Sequence, residues 1–191
     1  GSLVKTRALY RGIMEDIYST YTTAATGTAF PFTDVAETRW SYPYIKELYD
    51  AGVVSGTSAT TFSPAANVTR AQFVTMLAGL AGADVSNCPA TPFRDVPEGA
   101  WYAPYVNWAL ANGIVSGTSA VTFSPDASIT RQDMAVMLYS YTQRFQVHLQ
   151  QQPVTPFTDA GSIAAYAQIA VQTLQRAGVI SGMPDGSFVE G

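Results

Sequence analysis

One unit recurs along this chain, and that recurrence constrains the fold more than any single residue does. Its core reads GVVSGTSATTF at Gly52–Phe62, GIVSGTSAVTF at Gly113–Phe123 and GVISGMPDGSF at Gly178–Phe188. Upstream of each core stands a similar opening: FTDV at Phe32–Val35, FRDV at Phe93–Val96 and FTDA at Phe157–Ala160. In every copy the first glycine of the GxxSG core precedes the phenylalanine by ten positions. A period of roughly 60 residues means one small unit used several times, and with it one surface used several times.

A Thr-Arg pair follows the first two copies, as Thr69-Arg70 and Thr130-Arg131, each Thr seven positions past its Phe. The third copy stops three residues past Phe188. A matching segment stands near the other end, Val4-Lys5-Thr6-Arg7-Ala8, at a similar distance ahead of Phe32. Two readings of residues 3–21 stand. They complete the third repeat and close a pseudo-threefold ring, or they are the tail of a preceding repeat. The alignment of apolar positions favours closure. The expected organisation is a single domain over 1–191. Within it, 3–31 holds the closing helix and a linker, 32–92 repeat one, 93–156 repeat two, and 157–191 the first part of repeat three.

Each unit predicts two helices. Asp34 is placed to cap the first, because a short polar side chain accepts from free backbone N–H groups. Trp40 opens an apolar pattern through Tyr44, Ile45, Leu48 and Tyr49, and Gly52 ends it, as a residue entering the left-handed region should. Trp101 to Gly113 repeats that pattern. In the third copy the loop after Asp159 is one residue longer, and Tyr166 falls where the tryptophan stands elsewhere. The second helix starts at the Thr-Arg pair. Thr69 with Gln72 makes a capping box, Thr130 with Asp133 does much the same, and Thr6, followed by Leu9, does not. Apolar residues then recur at helical spacing: Phe73, Met76, Leu77, Leu80; Met134, Met137, Leu138, Tyr141; Tyr10, Ile13, Met14, Ile17. The expected fold class is mainly α, with three such helices bundled around a pseudo-threefold axis. The linkers, Ala81–Pro92 and roughly 146–156, join repeats rather than domains.

Composition excludes several functions. The 191-residue chain is 47% apolar, so it buries a core, and only 13% charged, about half the usual ~25%. Its net charge of −4 and the lack of a Lys/Arg block argue against nucleic acid. No apolar run reaches the ~18 residues of a membrane span, so membrane insertion is not expected. Gly1-Ser2 resembles a cloning remnant, with a natural leader removed. Cys88 stands alone and reads as a packed residue. His148, the single histidine, lies in a polar linker. With no Cys/His metal spacing and no placed carboxylate pair, neither metal, cofactor nor catalysis is expected.

These residues resemble the S-layer homology family, whose members anchor proteins to bacterial cell walls. The carriers are FTDV and FRDV with a Trp shortly after, the GxxSG core, the Phe-Ser-Pro turn, and the TRAQ and TRQD helix starts. The resemblance implies three repeats folded as a pseudo-trimer around three helices, with grooves between neighbouring repeats. It also implies a cell-surface location and a ligand, a secondary cell-wall polysaccharide with a pyruvylated terminal sugar. The family motif is Thr-Arg-Ala-Glu, and its Arg binds ligand; carried over, those positions are Arg7, Arg70 and Arg131. A guanidinium at a helix start, beside unpaired N–H groups, suits the pyruvyl carboxylate. Trp40, Trp101 and Tyr166 are candidates to cover a sugar ring, and equally candidates for the core. Asp34 and Asp95, like Asp159, read first as helix or loop caps and second as ligand contacts. Gly56, Gly117 and Gly182 read as turn geometry that also permits close approach of a ligand. The acidic position of the motif is Gln72, Asp133 or Leu9, so the grooves should be unequal. The rival reading is a structural assembly or surface-display module that oligomerises by exchanging the N-terminal helix.

Overall fold

The Thr-Arg pairs and the GxxSG glycines mark the helix boundaries almost to the residue. In the computed structural model, which describes residues 29–188, five α-helices and a 3₁₀ turn occur among the described residues, with no strand. They are α1 (Tyr42–Asp50), α2 (Arg70–Leu80), α3 (Ala103–Ala111), α4 (Arg131–Arg144) and α5 (Gln168–Arg176), with the 3₁₀ turn at Ala160–Ser162. The chain is thus mainly helical. The N-terminal segment, with Arg7 and the expected ring closure or helix exchange, lies outside the described residues.

The described chain forms two compact units. The first holds the chain up to Ala109 together with Gly117–Ser128, and the second holds Leu110–Ser116 and everything from Ile129 on. Each unit therefore contains one junction between a Thr-Arg helix and the turn of the following repeat.

Gly52, Gly113 and Gly178 end α1, α3 and α5 at φ of +70°, +68° and +72°. At α1 the Gly52 N–H bonds the Tyr49 carbonyl and the Val53 N–H bonds the Leu48 carbonyl, which satisfies the last helical acceptors. Gly178 and Val179 repeat this on Gln175 and Leu174.

The aspartates do not cap those helices. Ser41 stands at the N-cap of α1 and makes no side-chain cap. Asp34 instead reaches forward: its two carboxylate oxygens accept from the N–H groups of Phe62 (2.9 Å) and Ser63 (2.7 Å). Asp95 holds Phe123 (2.8 Å) and Ser124 (2.7 Å) in the same way, and Asp159 holds Phe188 (2.7 Å). The clamp fixes a strained turn, since Ser63 and Ser124 adopt φ of 61° and 58°, a region L-residues avoid. Both serines precede proline, which disfavours the right-handed helical alternative.

Behind each turn sits an aromatic core. In the first unit Phe32, Val35 and Ile45 are buried, with Phe30, Tyr42, Tyr49 and Phe62 packed around them. In the second, Phe157, Ile163, Val171, Leu174 and Phe188 form the core together with Ala135 from α4. Burial of a side chain such as Phe123 or Phe188, each out of solvent, contributes about 2–3 kcal/mol. The buried face of α2 differs from the expected stripe. It runs through Arg70, Ala71, Val74, Leu77 and Ala78, while Phe73, Met76 and Leu80 are only half-buried. Small residues face inward here because the helix lies close on its neighbours. Gly79 approaches within 2.9 Å of the Val53 carbonyl oxygen if given a Cβ.

Candidate functional site

The Thr-Arg helix starts carry the junctions between repeats. Thr69 and Gln72 form the expected reciprocal box: the Thr69 hydroxyl accepts from the Gln72 N–H, and the Gln72 side chain accepts from the Thr69 N–H. The next repeat's turn supplies the rest. The Arg70 N–H donates to the Ala127 carbonyl and the Ala71 N–H to the Pro125 carbonyl, both at 3.0 Å. The unpaired N–H groups expected beside Arg70 are therefore already bonded, and an anion has no helix-end donors to use there. The helix start was read as an open receptor because its partners lie more than 50 residues ahead in the chain.

Arg70 itself is only 5% exposed. Its Nε donates to the Phe123 carbonyl at 2.9 Å, and its guanidinium lies over the Phe123 ring, 4.9 Å from the centroid. Asp95 completes the cluster. Burial opposes its ionisation, but the Phe123 and Ser124 N–H groups and the nearby Arg70 charge hold its carboxyl below the usual carboxylate range. Phe123 is thus gripped by its N–H from Asp95 and by its carbonyl from Arg70. Tyr102 packs alongside, its hydroxyl bonding the Asp95 carbonyl; burial, then Asp126 and Asp95, raise its pKa.

Arg131 is set differently in the second unit. It lies over Phe188, again at 4.9 Å, but it is half-buried and bonds through Nη2 to the Ser181 carbonyl at 2.9 Å. Its Nε is buried with no hydrogen-bond partner. Around it α4 is stitched to the third repeat. The Gln132 side chain accepts from the Ala164 N–H (3.0 Å), and the Tyr166 hydroxyl donates to the Asp133 carboxylate (2.7 Å).

The three aromatics face solvent. Trp40, Trp101 and Tyr166 are 78%, 59% and 62% exposed, each two residues ahead of its helix, α1, α3 or α5. Core membership, the other reading open from sequence, does not hold for any of them. The glycines of the GxxSG core serve their own turn. A Cβ on Gly56 would lie 2.3 Å from the Thr61 carbonyl oxygen and 2.4 Å from the Phe32 ring. On Gly117 it would lie 2.2 Å from the Ser119 oxygen, and on Gly182 it would lie 2.9 Å from the Ser187 oxygen. Asp34 and Asp95 are committed to backbone clamps. The clamp escaped a local reading, but the constant offset of about 28 residues from each Asp to its Phe carried the signal.

A separate cleft of about 470 Å³ runs along α5, lined by Pro156, Phe157, Ile163, Ile169, Val171 and Arg176 among others. It contains none of the residues selected from sequence. Among the described residues no group of three or more His, Cys, Asp or Glu is arranged to hold a metal. No helix among them is long and apolar enough to cross a membrane.

Three segments of this chain, residues 31–74, 92–135 and 156–189, match the S-layer homology domain. The chain belongs to the S-layer homology family. Each matched segment begins just before an Asp clamp, and the first two end inside a Thr-Arg helix, so the family pattern and the junctions described above coincide. An endoglucanase from Bacillus sp. (strain KSM-635) is 38% identical over 98% of the chain. The S-layer protein sap of Bacillus anthracis is 29% identical over 81%, and a cellulosome-anchoring protein of Acetivibrio thermocellus is 30% identical over 72%. These matches span 20%, 18% and 31% of the respective relatives. The S-layer homology chain thus corresponds to a minor part of each much longer protein.

Proposed function

We propose that this chain is a non-catalytic module that fixes an attached protein to the bacterial cell wall by binding a secondary cell-wall polysaccharide in the grooves at its repeat junctions. The cell surface is where S-layer homology domains act, and relatives named as an S-layer protein and a cellulosome-anchoring protein carry the same repeats. An endoglucanase among the relatives fits the same role, with the repeats as an accessory part beside a catalytic one. The single observation that carries the reading is the placement of three large aromatic side chains in solvent at equivalent positions, Trp40, Trp101 and Tyr166. An exposed indole costs free energy in water unless something covers it, and the apolar face of a sugar ring does so. The pyruvylated terminal sugar is the finer part of the proposal. Its carboxylate pairs with Arg131, which is half-buried where Arg70 is almost fully buried.

Calorimetric titration tests the reading, with purified pyruvylated wall polysaccharide and with the same polymer after removal of the pyruvyl group. Wild-type protein is expected to bind the pyruvylated form more tightly. Trp101→Ala is expected to lose about tenfold in affinity at an unchanged melting temperature, because its side chain is largely outside the core. An affinity for both polymers equal to wild type in the triple variant Trp40→Ala, Trp101→Ala, Tyr166→Ala refutes it.

A further inference from the structure

The third repeat departs from the first along the cleft beside α5. Aligning Phe32 with Phe157 and Gly52 with Gly178 puts Phe30, Tyr42 and Tyr49 opposite Thr155, Gln168 and Gln175. In repeat one those residues fill their place with rings. Phe30 packs edge-on against Phe32 and Tyr42, each at 5.1 Å between centroids, and against Tyr49 at 5.9 Å. In repeat three two glutamines replace the tyrosines. Gln175 donates to the Thr155 carbonyl (2.9 Å) and Gln168 to the Ile163 carbonyl (3.3 Å), and both line the open cleft of about 470 Å³. That volume falls in the range of small-ligand sites.

The charges change at the same place. Lys46 and Asp50 of repeat one form an ion pair, and their counterparts are Gln172 and Arg176. Repeat two has Ala111 where Arg176 stands. Arg176 is exposed and is the one charged residue lining the cleft. Its guanidinium makes no hydrogen bond or ion pair among the described residues. Gln168, Gln172 and Arg176 follow at i, i+4 and i+8, so two amides and a cation form a row about 12 Å long on one face of α5. Val154 and Ile169, 39% and 68% exposed, add apolar walls. Amides donate and accept as ring hydroxyls require, aliphatic walls suit the C–H face of a sugar, and a free guanidinium suits a carboxylate.

We infer that this cleft is a second carbohydrate subsite, peculiar to repeat three, for an acid-bearing stretch of glycan. Gln168 and Gln172 bond its hydroxyls and Arg176 its carboxylate. The row is longer than one sugar ring, so the ligand spans two linked rings. The choice of a glycan rests on the proposed wall binding; the site itself is separate from the Thr-Arg junctions. A polymer held both here and at an exposed aromatic gains avidity without a new contact at either.

The test is calorimetry with digalacturonate, its neutral methyl ester, and the pyruvylated and depyruvylated polymers, on wild type, Arg176→Gln and Gln168→Tyr. Arg176→Gln removes the charge from an exposed side chain. Gln168→Tyr returns to the cleft a ring that repeat one has there, and melting temperatures check that both variants fold. Arg176→Gln is expected to weaken digalacturonate about tenfold and to leave its methyl ester unchanged. Gln168→Tyr is expected to weaken both disaccharides. With the polymers, a loss in Arg176→Gln confined to the pyruvylated form assigns the acid to the pyruvyl group, and a loss with both forms assigns it to an acid within the chain. Arg176→Gln binding digalacturonate and both polymers as wild type does overturns the inference and leaves wall anchoring intact. Wild type that binds neither polymer overturns the anchoring reading instead.

Discussion

Replacing Arg70 with alanine is expected to destabilise the fold far more than replacing Arg131, although both arginines occupy the same position of the repeat. The magnitude follows from what each side chain touches. At Arg70 the change removes a charged donor from the Phe123 carbonyl, worth about 1.5–3 kcal/mol, and a desolvated guanidinium over the Phe123 ring, worth about 1–2 kcal/mol. It also leaves the Asp95 carboxylate without the charge beside it. The sum is about 3–5 kcal/mol, in line with breaking a buried charge cluster from one side. Arg131 makes the same ring contact, but its bond to Ser181 is exposed and its Nε is unpartnered, so its loss should cost about 1–2 kcal/mol. In a chain of this size each kcal/mol moves the melting temperature by about 2–4 °C. Scanning calorimetry should therefore show Arg70→Ala melting about 10 °C below wild type and Arg131→Ala only a few degrees below. Urea midpoints should rank the two in the same order. If Arg70→Ala melts with wild type, or Arg131→Ala falls further, the reasoning from burial is wrong. The result also governs binding experiments, since weaker binding by Arg70→Ala reports the loss of a turn before it reports a ligand contact.

The clamps make acid stability a second readout. The folded-state pKa of Asp95 lies below its unfolded value of about 3.9, so its contribution is complete above that value and disappears as pH falls through the folded one. The wild-type urea midpoint should therefore drop below about pH 4, and Asp95→Asn should flatten that drop while lowering the midpoint at neutral pH. The residual slope comes from Asp34, Asp84 and Asp185, which backbone or serine hydrogen bonds also hold low. The glycines give a third contrast. Gly117→Ala forces a Cβ to 2.2 Å from a backbone oxygen and should cost about 3 kcal/mol or more. Gly113→Ala meets no atom within 4 Å and pays only for its φ of +68°, about 1–2 kcal/mol, which denaturant titration of the two variants will separate.

What was legible in the sequence depended on how far apart the partners were. The helix ends were readable because a glycine in the left-handed region and a Thr-x-x-Gln box act within a few residues. Gly52 and Thr69 sit where those rules put them. Of the two cap readings of the aspartates the loop one holds and the helix one does not, because their partners, Phe62, Phe123 and Phe188, lie 28 or 29 residues on, beyond the reach of a local rule. The burial of Arg70 was not legible for the same reason: the ring and carbonyl that enclose it belong to the next repeat. The solvent-facing aromatics were undecidable, since a Trp two residues before an amphipathic helix can fold either over the core or away from it. The helical stripe on α2 was displaced because alanines contribute little to a hydrophobic pattern yet pack most closely.

The same distance explains why the unit is repeated at all. A lone repeat would start its Thr-Arg helix with the Arg70 and Ala71 N–H groups lacking the Ala127 and Pro125 carbonyls, and with a guanidinium lacking the Phe123 carbonyl and ring. In the lone repeat water would take the place of those partners, at a net loss of about 0.5–1.5 kcal/mol per bond, and three such losses are a sizeable share of a small domain's stability. The next repeat removes that cost with the turn that its own Asp clamp has already shaped. Folding of one repeat and rigidity of its neighbour's turn are therefore coupled through Arg70. The junction at Arg70 is preorganised in this sense: a buried guanidinium and a clamped backbone hold the turn in place before anything else meets it.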